Sequence, residues 1–250
     1  MSKKISETGH EKNVANFGVM NSAVKVLGTV YVPSNPDISA TALITKEDDC
    51  KKAMKKVIDT DVLYKNAVST RSDAYHIMGV LSYRMNNSFG SCGATEASVK
   101  TMQSLTDKVH GARIGSLPTL PVPKPGDPTP DIPKTISVSQ MSFDNRRSNF
   151  EKQIAFVSAQ PKYNPNEADL KVTTLTLYVK SLEPLNTNVN DTLKDQEHAI
   201  QLRNIELYAP FTGLLDTTRN VKKYSKSIDG AANPASKKIV TIKFTDHKIK

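Results

Sequence analysis

Apolar residues recur every three or four positions over most of the chain, which predicts amphipathic helices. In NFGVMNSAVKVLG, Phe17, Met20, Val24 and Leu27 share one face. In NFEKQIAFVSAQ, Phe150, Ile154 and Val157 do the same. A far longer stripe runs through Cys50, Met54, Val57, Tyr64, Val68, Tyr75, Met78, Met85 and Phe89. Its steps of three and four make a heptad-like seam. Asp61, Arg71 and Ser82 fill the places the seam leaves open. Continuous from Ile38 to Phe89, this helix would measure ~78 Å at ~1.5 Å per residue. A second long stripe runs through Leu175, Leu182, Val189, Leu193, Gln196, Ile200, Arg203 and Leu207. Pro184 interrupts it and should kink the helix near its start. Only two stretches alternate with period two: PKTISVSQMSF (133–143) and KKIVTIKF (237–244). Both predict short strands that pair with each other or lie against the helices.

The elements come in the same order twice. YVPSNPDISATAL (31–43) and YNPNEADLKVTTL (163–175) share Tyr, Pro, Asp, Thr and Leu at the same places. Asn16-Phe17 precedes the first phrase and Asn149-Phe150 the second. Met102, Leu105 and Val109 before Gly111 match Val221, Tyr224 and Ile228 before Gly230, and Arg84 matches Arg203 at the same spacing. Ordered anchors of this kind point to a tandem duplication. Each glycine reads as a helix C′ cap. The anchors Tyr31, Pro33 and Asp37, and Tyr163, Pro165 and Asp169, read as helix-start signals. Asn35 caps with Pro36 and Asp37 in the first turn; Asn164 or Asn166 caps with Asp169 following. The tyrosines would pack each short helix onto the long one.

Between the two halves lies SLPTLPVPKPGDPTPDIPK (116–134), with seven of the chain's 14 prolines. It reads as a semi-rigid extended linker, far more than as a PxxP ligand. The expected organisation is therefore a first helical repeat over 1–115, a linker over 116–134, and a strand, second repeat and C-terminal strand over 135–250. The fold class is mainly α: an elongated helical bundle of two duplicated helical-hairpin units, with one or two short β-strands after each.

Composition narrows the function classes. The 250 residues carry a formal charge of +9, with 24 % charged and 6 % aromatic residues and no Trp. Excess charge is +4 over residues 1–116 and +5 over the rest, so no basic domain stands out. Lys51, Lys52, Lys55 and Lys56 follow Glu47, Asp48 and Asp49, the pattern of a solvated ion-paired face. Arg219, Lys222, Lys223 and Lys226 form the other dense group. Nucleic acid is not an expected partner. MSKKISETGHEKN lacks an apolar signal core, and no run approaches a transmembrane span, so a cytoplasmic location is expected. A leaderless export route would leave no trace.

Chemistry is sparse. Cys50 and Cys92 suit neither a disulfide framework nor a metal knuckle, and Cys50 reads as a buried free thiol. His10, His76, His110, His198 and His247 lie at no metal-ligand spacing. GSCG (90–93) brackets a cysteine with glycines, but reads as a helix break with Thr95 capping the next helix. No catalytic, metal-ligating or cofactor-binding residue is assigned, and an enzyme is not expected. Asp61, Arg71, Gln196 and Arg203 are the notable positions. A polar residue in a seam fixes register or marks a cavity. The plainer account is that the stripe drifts and they face water.

The repeated NF…Y-x-P…G pattern, the Pro-rich bridge, SVSQMSFDNR (137–146) and KKIVTIKF resemble a group of helical proteins of Bacteroidota without an assigned activity. The resemblance covers most of the chain and implies the architecture alone. The expected function is that of a non-enzymatic structural or assembly protein that self-associates or scaffolds a protein partner. A membrane-active, pore-forming-like helical protein is the alternative, with YHIMGVLSYRM (75–85) as its best segment. A small-ligand or nucleic-acid binding helical module comes third.

Overall fold

The computed structural model describes residues 9–111, 141–228 and 233–247. They form α1 (His10–Leu27), α2 (Ala40–Ser91), α3 (Glu96–His110), α4 (Phe143–Ser158), α5 (Val172–Tyr208), α6 (Leu214–Ser227) and α7 (Pro234–Thr241). Short 3-10 turns occupy Gly28–Val30, Pro36–Ile38 and Ala168–Leu170. The mainly helical reading holds, and no strand occurs among the described residues. The Pro-rich segment 116–134 and Gly230 lie outside those residues.

Local chemistry sets most helix ends. Thr95 accepts from the Ser98 amide at 3.3 Å and opens α3, and Gly111 closes it at φ +67. That backbone conformation favours glycine. The expected start of the long helix is adjusted by one turn. Asn35 accepts from the Asp37 amide at 2.9 Å, but this cap opens the 3-10 turn. Ser39 then accepts from the Ala42 amide at 3.3 Å as α2 begins. At the second phrase the preceding residue is Glu167, which makes no side-chain cap. In both phrases the tyrosine is the fixed point. Tyr31 donates to the Ile38 carbonyl and Tyr163 to the Leu170 carbonyl, each at 2.9 Å and each buried. The hydroxyl satisfies a carbonyl that no helix partner reaches. Helical backbone in α5 continues through Pro184.

The chain divides into two compact units, one comprising Met1–Lys65 and Asp191–Lys250, the other Asn66–Asn190. Among the described residues, the first unit holds α1, the start of α2, the end of α5, α6 and α7. Its core joins Phe17, Met20, Leu43, Cys50, Leu207, Leu214, Val221 and Ile239. The second unit holds the end of α2, α3, α4 and the start of α5. Its core joins Tyr75, Met78, Met85, Phe89, Met102, Phe150, Leu175 and Leu182. Each fully buried apolar side chain of this size contributes about 1.5–3 kcal/mol.

Two expectations are corrected. The hairpin units do not form: each compact unit draws on both sequence halves, so neither half closes its own core. A single 52-residue α2 carries the chain from one core to the other before it can turn back. The strand at 237–244 is also absent. Asn233 accepts from the Ala235 amide at 2.9 Å with Pro234 behind it, so α7 forms and takes up Lys237–Thr241. This cap signal outweighs the alternation. Ile242–His247 lies outside any helix and pairs with no strand, with Ile242 itself in extended backbone. Of the other expected strand, 133–140 lies outside the described residues, and Phe143 already begins α4.

Candidate functional site

Two sequence features that lie apart in the chain meet in the second unit. The last turns of α2 present Arg84, Asn87, Ser88 and Ser91 on one face, by i, i+3, i+4, i+7 spacing. Cys92 and Gly93 follow, and Gly93 turns the chain at φ +77. Opposite stands the second Tyr-x-Pro phrase. Together these residues line a cleft of about 540 Å³, with Lys162, Asn164, Pro165, Asn166, Glu167 and Leu170 on its far side.

Three contacts hold the cleft in shape. Lys162 Nζ donates to the Gly93 carbonyl at 2.9 Å. Arg84 grips Asp169 through two nitrogens, Nη2 reaching Oδ1 at 3.1 Å. That bond to Asp169 is the main reason the guanidinium holds its proton more tightly than usual. Tyr163, behind the wall, is pushed up to about 12, by burial first of all. It remains a neutral hydrogen-bond donor. The lining is mostly hydroxyl, amide and charged groups. No histidine lines it, so the Cys92 thiol has no imidazole base there.

Of the seam positions, Asp61 and Gln196 come together in the first unit. Gln196 Nε2 donates to Asp61 Oδ1 at 2.9 Å, and Lys65 adds an ion pair to Asp61 at 2.7 Å. Both are half-buried. The bond joins α2 to α5 at that point of the first unit. Arg71 lies over the Phe143 ring at 4.0 Å, a cation–π contact in the second unit. Arg203 is half-buried and donates to Asn204 Oδ1 at 2.8 Å. Pro33 is half-buried and Asp37 exposed; neither joins a cleft. Tyr163, Pro165 and Asp169 all stand at the cleft, Pro165 in its lining.

The solvated face reads as expected: Lys51 meets Glu47 at 2.5 Å, Lys52 meets Asp49 at 3.5 Å and Lys55 meets Asp59 at 2.8 Å. His76 and His198 are exposed. His110 stacks on Tyr83 with ring centroids 3.7 Å apart. His10 and His247 stand with centroids 4.9 Å apart in the first unit. No group of three or more metal-ligating side chains forms among the described residues.

Sequence reasoning missed Asn87, Lys162 and Glu167. Their only signal was proximity to two noted motifs, and nothing in the sequence says that those motifs meet. A buried polar cluster elsewhere in the second unit was also missed. Gln153, fully buried, donates to Thr106 Oγ1 at 2.7 Å and to the Ser82 carbonyl at 3.3 Å. Ser82 Oγ returns a bond to Gln153 Oε1 at 2.8 Å. Gln153 sits on the apolar face of α4, where a stripe reading passes over it.

No family model, no curated protein and no solved structure matches this chain.

Proposed function

We propose that this chain is a non-enzymatic structural or assembly protein, built from a duplicated long-helix unit and acting by self-association. The observation that carries the reading is an apolar face left open on α2. Ile58 and Val62, four residues apart in the first unit, are 55 % and 50 % exposed. Ile77 and Val80, three apart in the second, are 50 % and 46 % exposed. On a helix this charged, water-facing isoleucine and valine at helical spacing suit burial against another molecule.

Duplication is supported by matching local structure. The Tyr31 and Tyr163 bonds span the same seven residues. Phe17 and Phe150, Leu43 and Leu175, and Met102 and Val221 are fully buried at corresponding places. Each unit combines a short helix, a 3-10 turn and the start of one long helix with the end of the other long helix and its following helix. Such an exchange suits a protein whose halves once folded as two chains.

Light scattering on the purified chain tests this directly. Assembly is expected, and Ile58→Glu with Val62→Glu should abolish it without loss of helicity. A strictly monomeric chain at high concentration would refute the proposal. Among the described residues no helix is long and apolar enough to cross a membrane, which leaves the membrane-active alternative without a spanning element.

The cleft favours a second reading, a small-ligand module. Thermal-shift screening against sugars, amino acids and small organic acids would find its ligand class. If no compound moved the wild type more than the Arg84→Ala variant, this second reading would fall.

A further inference from the structure

The segment Ile242–His247 forms neither helix nor strand, yet side chains of the first unit hold its backbone. Asn13 serves it as a backbone would: Nδ2 donates to the Thr245 carbonyl at 2.8 Å, and the Thr245 amide donates back to Oδ1 at 3.0 Å. Asn16 donates to the Lys243 carbonyl at 2.7 Å, and Lys222 donates to the Ile242 carbonyl. Ile242 and Phe244 pack against the core of this unit, with Lys222 Nζ 5.3 Å from the Phe244 ring. Beyond them the chain closes on a histidine pair.

His10, at the start of α1, faces groups from each element around it. Its Nδ1 shares a 2.7 Å hydrogen bond with the Tyr208 hydroxyl of α5. Asn13 Nδ2 donates to that same oxygen at 3.3 Å. With Asn13 as donor, the phenol completes the chain by giving its proton to a neutral His10. His247 lies against both rings, 4.9 Å from His10 and 6.0 Å from Tyr208. Its Nε2 is buried without a partner. Arg203 of α5 is the nearby permanent cation. Asp246 could offset these charges, but it already faces Arg219 of α6 at 3.5 Å.

We propose that Ile242–His247 is an acid-released strap, clasped to α1, α5 and α6 while His10 is neutral and let go when it takes up a proton. Two physical terms act together. Protonated Nδ1 must donate, which reverses the donor order at Tyr208. The His10 imidazolium is also repelled by Arg203. Burial first, then Arg203 and His247, lower the proton affinity of His10 below the ordinary histidine value. The sign follows from linkage. A histidine with a lowered folded pKa stabilises the clasp above its unfolded value of about 6.5, and that contribution is lost as pH falls from there through the lower folded value. Release uncovers the apolar seats of Ile242 and Phe244, where an extended apolar peptide could add.

Hydrogen exchange on the full chain, corrected for intrinsic rates, tests the clasp. Protection of the 242–247 amides should fall severalfold between pH 7.5 and pH 5.0, the direction set by the lowered proton affinity of His10 in the folded chain. Protection around Leu43 and Cys50 should hold. In the His10→Gln/His247→Gln variant the strap should stay protected at both pH values. Arg203→Gln should shrink the fall, and it serves if the double variant does not fold. Asn13→Ala, a purely structural loss, should lower protection equally at both pH values. Protection of the strap that does not change with pH, an equal fall in both histidine-pair and Arg203 variants, or a fall shared with Leu43 and Cys50 would each overturn the proposal.

Discussion

Gln153→Met probes the most concentrated polar arrangement in the second unit. Methionine nearly conserves the volume, and the corresponding place in α1 is already a fully buried Met20. Packing is therefore not the main perturbation. What changes is hydrogen bonding. Two donations from Gln153 and the one it receives from Ser82 disappear. Thr106 keeps its own donation to the Met102 carbonyl at 2.9 Å, and the Ser82 carbonyl belongs to the helix ladder. The Ser82 hydroxyl is thus the main group left without its partner, at 0 % exposure. An orphaned buried polar group costs ~1–3 kcal/mol, and the lost bonds add about 1 kcal/mol. The expected destabilisation is about 2–4 kcal/mol, read as a lowered urea midpoint at unchanged slope. Replacing the whole set by apolar groups, with Gln153→Met, Ser82→Ala and Thr106→Val together, should recover more than half of it. That recovery distinguishes orphaning from lost packing. A neutral single variant, or a triple variant less stable than the single, would refute the reasoning.

The two start-phrase tyrosines should respond alike: Tyr31→Phe and Tyr163→Phe each leave one buried carbonyl short, for about 1–2 kcal/mol in thermal or urea denaturation, with the side-chain bond of Tyr163 to Ser88 lost in addition. A difference above about 1 kcal/mol between them would break their structural equivalence. The cysteines should separate chemically. Burial, as the main cause, pushes the Cys50 thiol up to about 12, and its Sγ faces the Glu206 carbonyl at 3.8 Å. Cys92 opens on the cleft. At pH 8 alkylation followed by mass spectrometry should label Cys92 and spare Cys50 until the chain unfolds; early labelling of Cys50 would contradict its burial.

Helix identity was legible because it is local. Stripes of three and four, the Thr95 cap and the Gly111 stop each act within a few residues, and all appear where the spacing puts them. Polar seam residues were legible as exceptions, but not by partner. Nothing near Asp61 announces Gln196, 135 residues away. The cleft was illegible for the same reason, since its walls come from the end of one long helix and the start phrase of the other. Pairing within each sequence half was the natural assumption, and α2 defeats it. A helix of 52 residues cannot fold back on the short helix that precedes it along its whole length. Its far end needs another cover, which α4 and the start of α5 supply in the second unit.

The misread strand has a more general cause. Alternation of Val240, Ile242 and Phe244 reports an extended backbone with one buried side, and says nothing about what satisfies its amides. Here the first of the three falls in α7, Ile242 has extended backbone, and the remainder is neither helix nor strand. Its hydrogen bonds go to Asn13, Asn16 and Lys222, side chains on two helices. Such a segment has the side-chain pattern of a strand without the ladder. A ladder bond joins two backbones and is indifferent to sequence and to pH. A backbone held by asparagine amides and closed by histidines depends on those residues, so one substitution or a small change in acidity acts on it directly. The same feature that lets the segment carry a strand's pattern without a ladder therefore makes it separable from the helices that hold it.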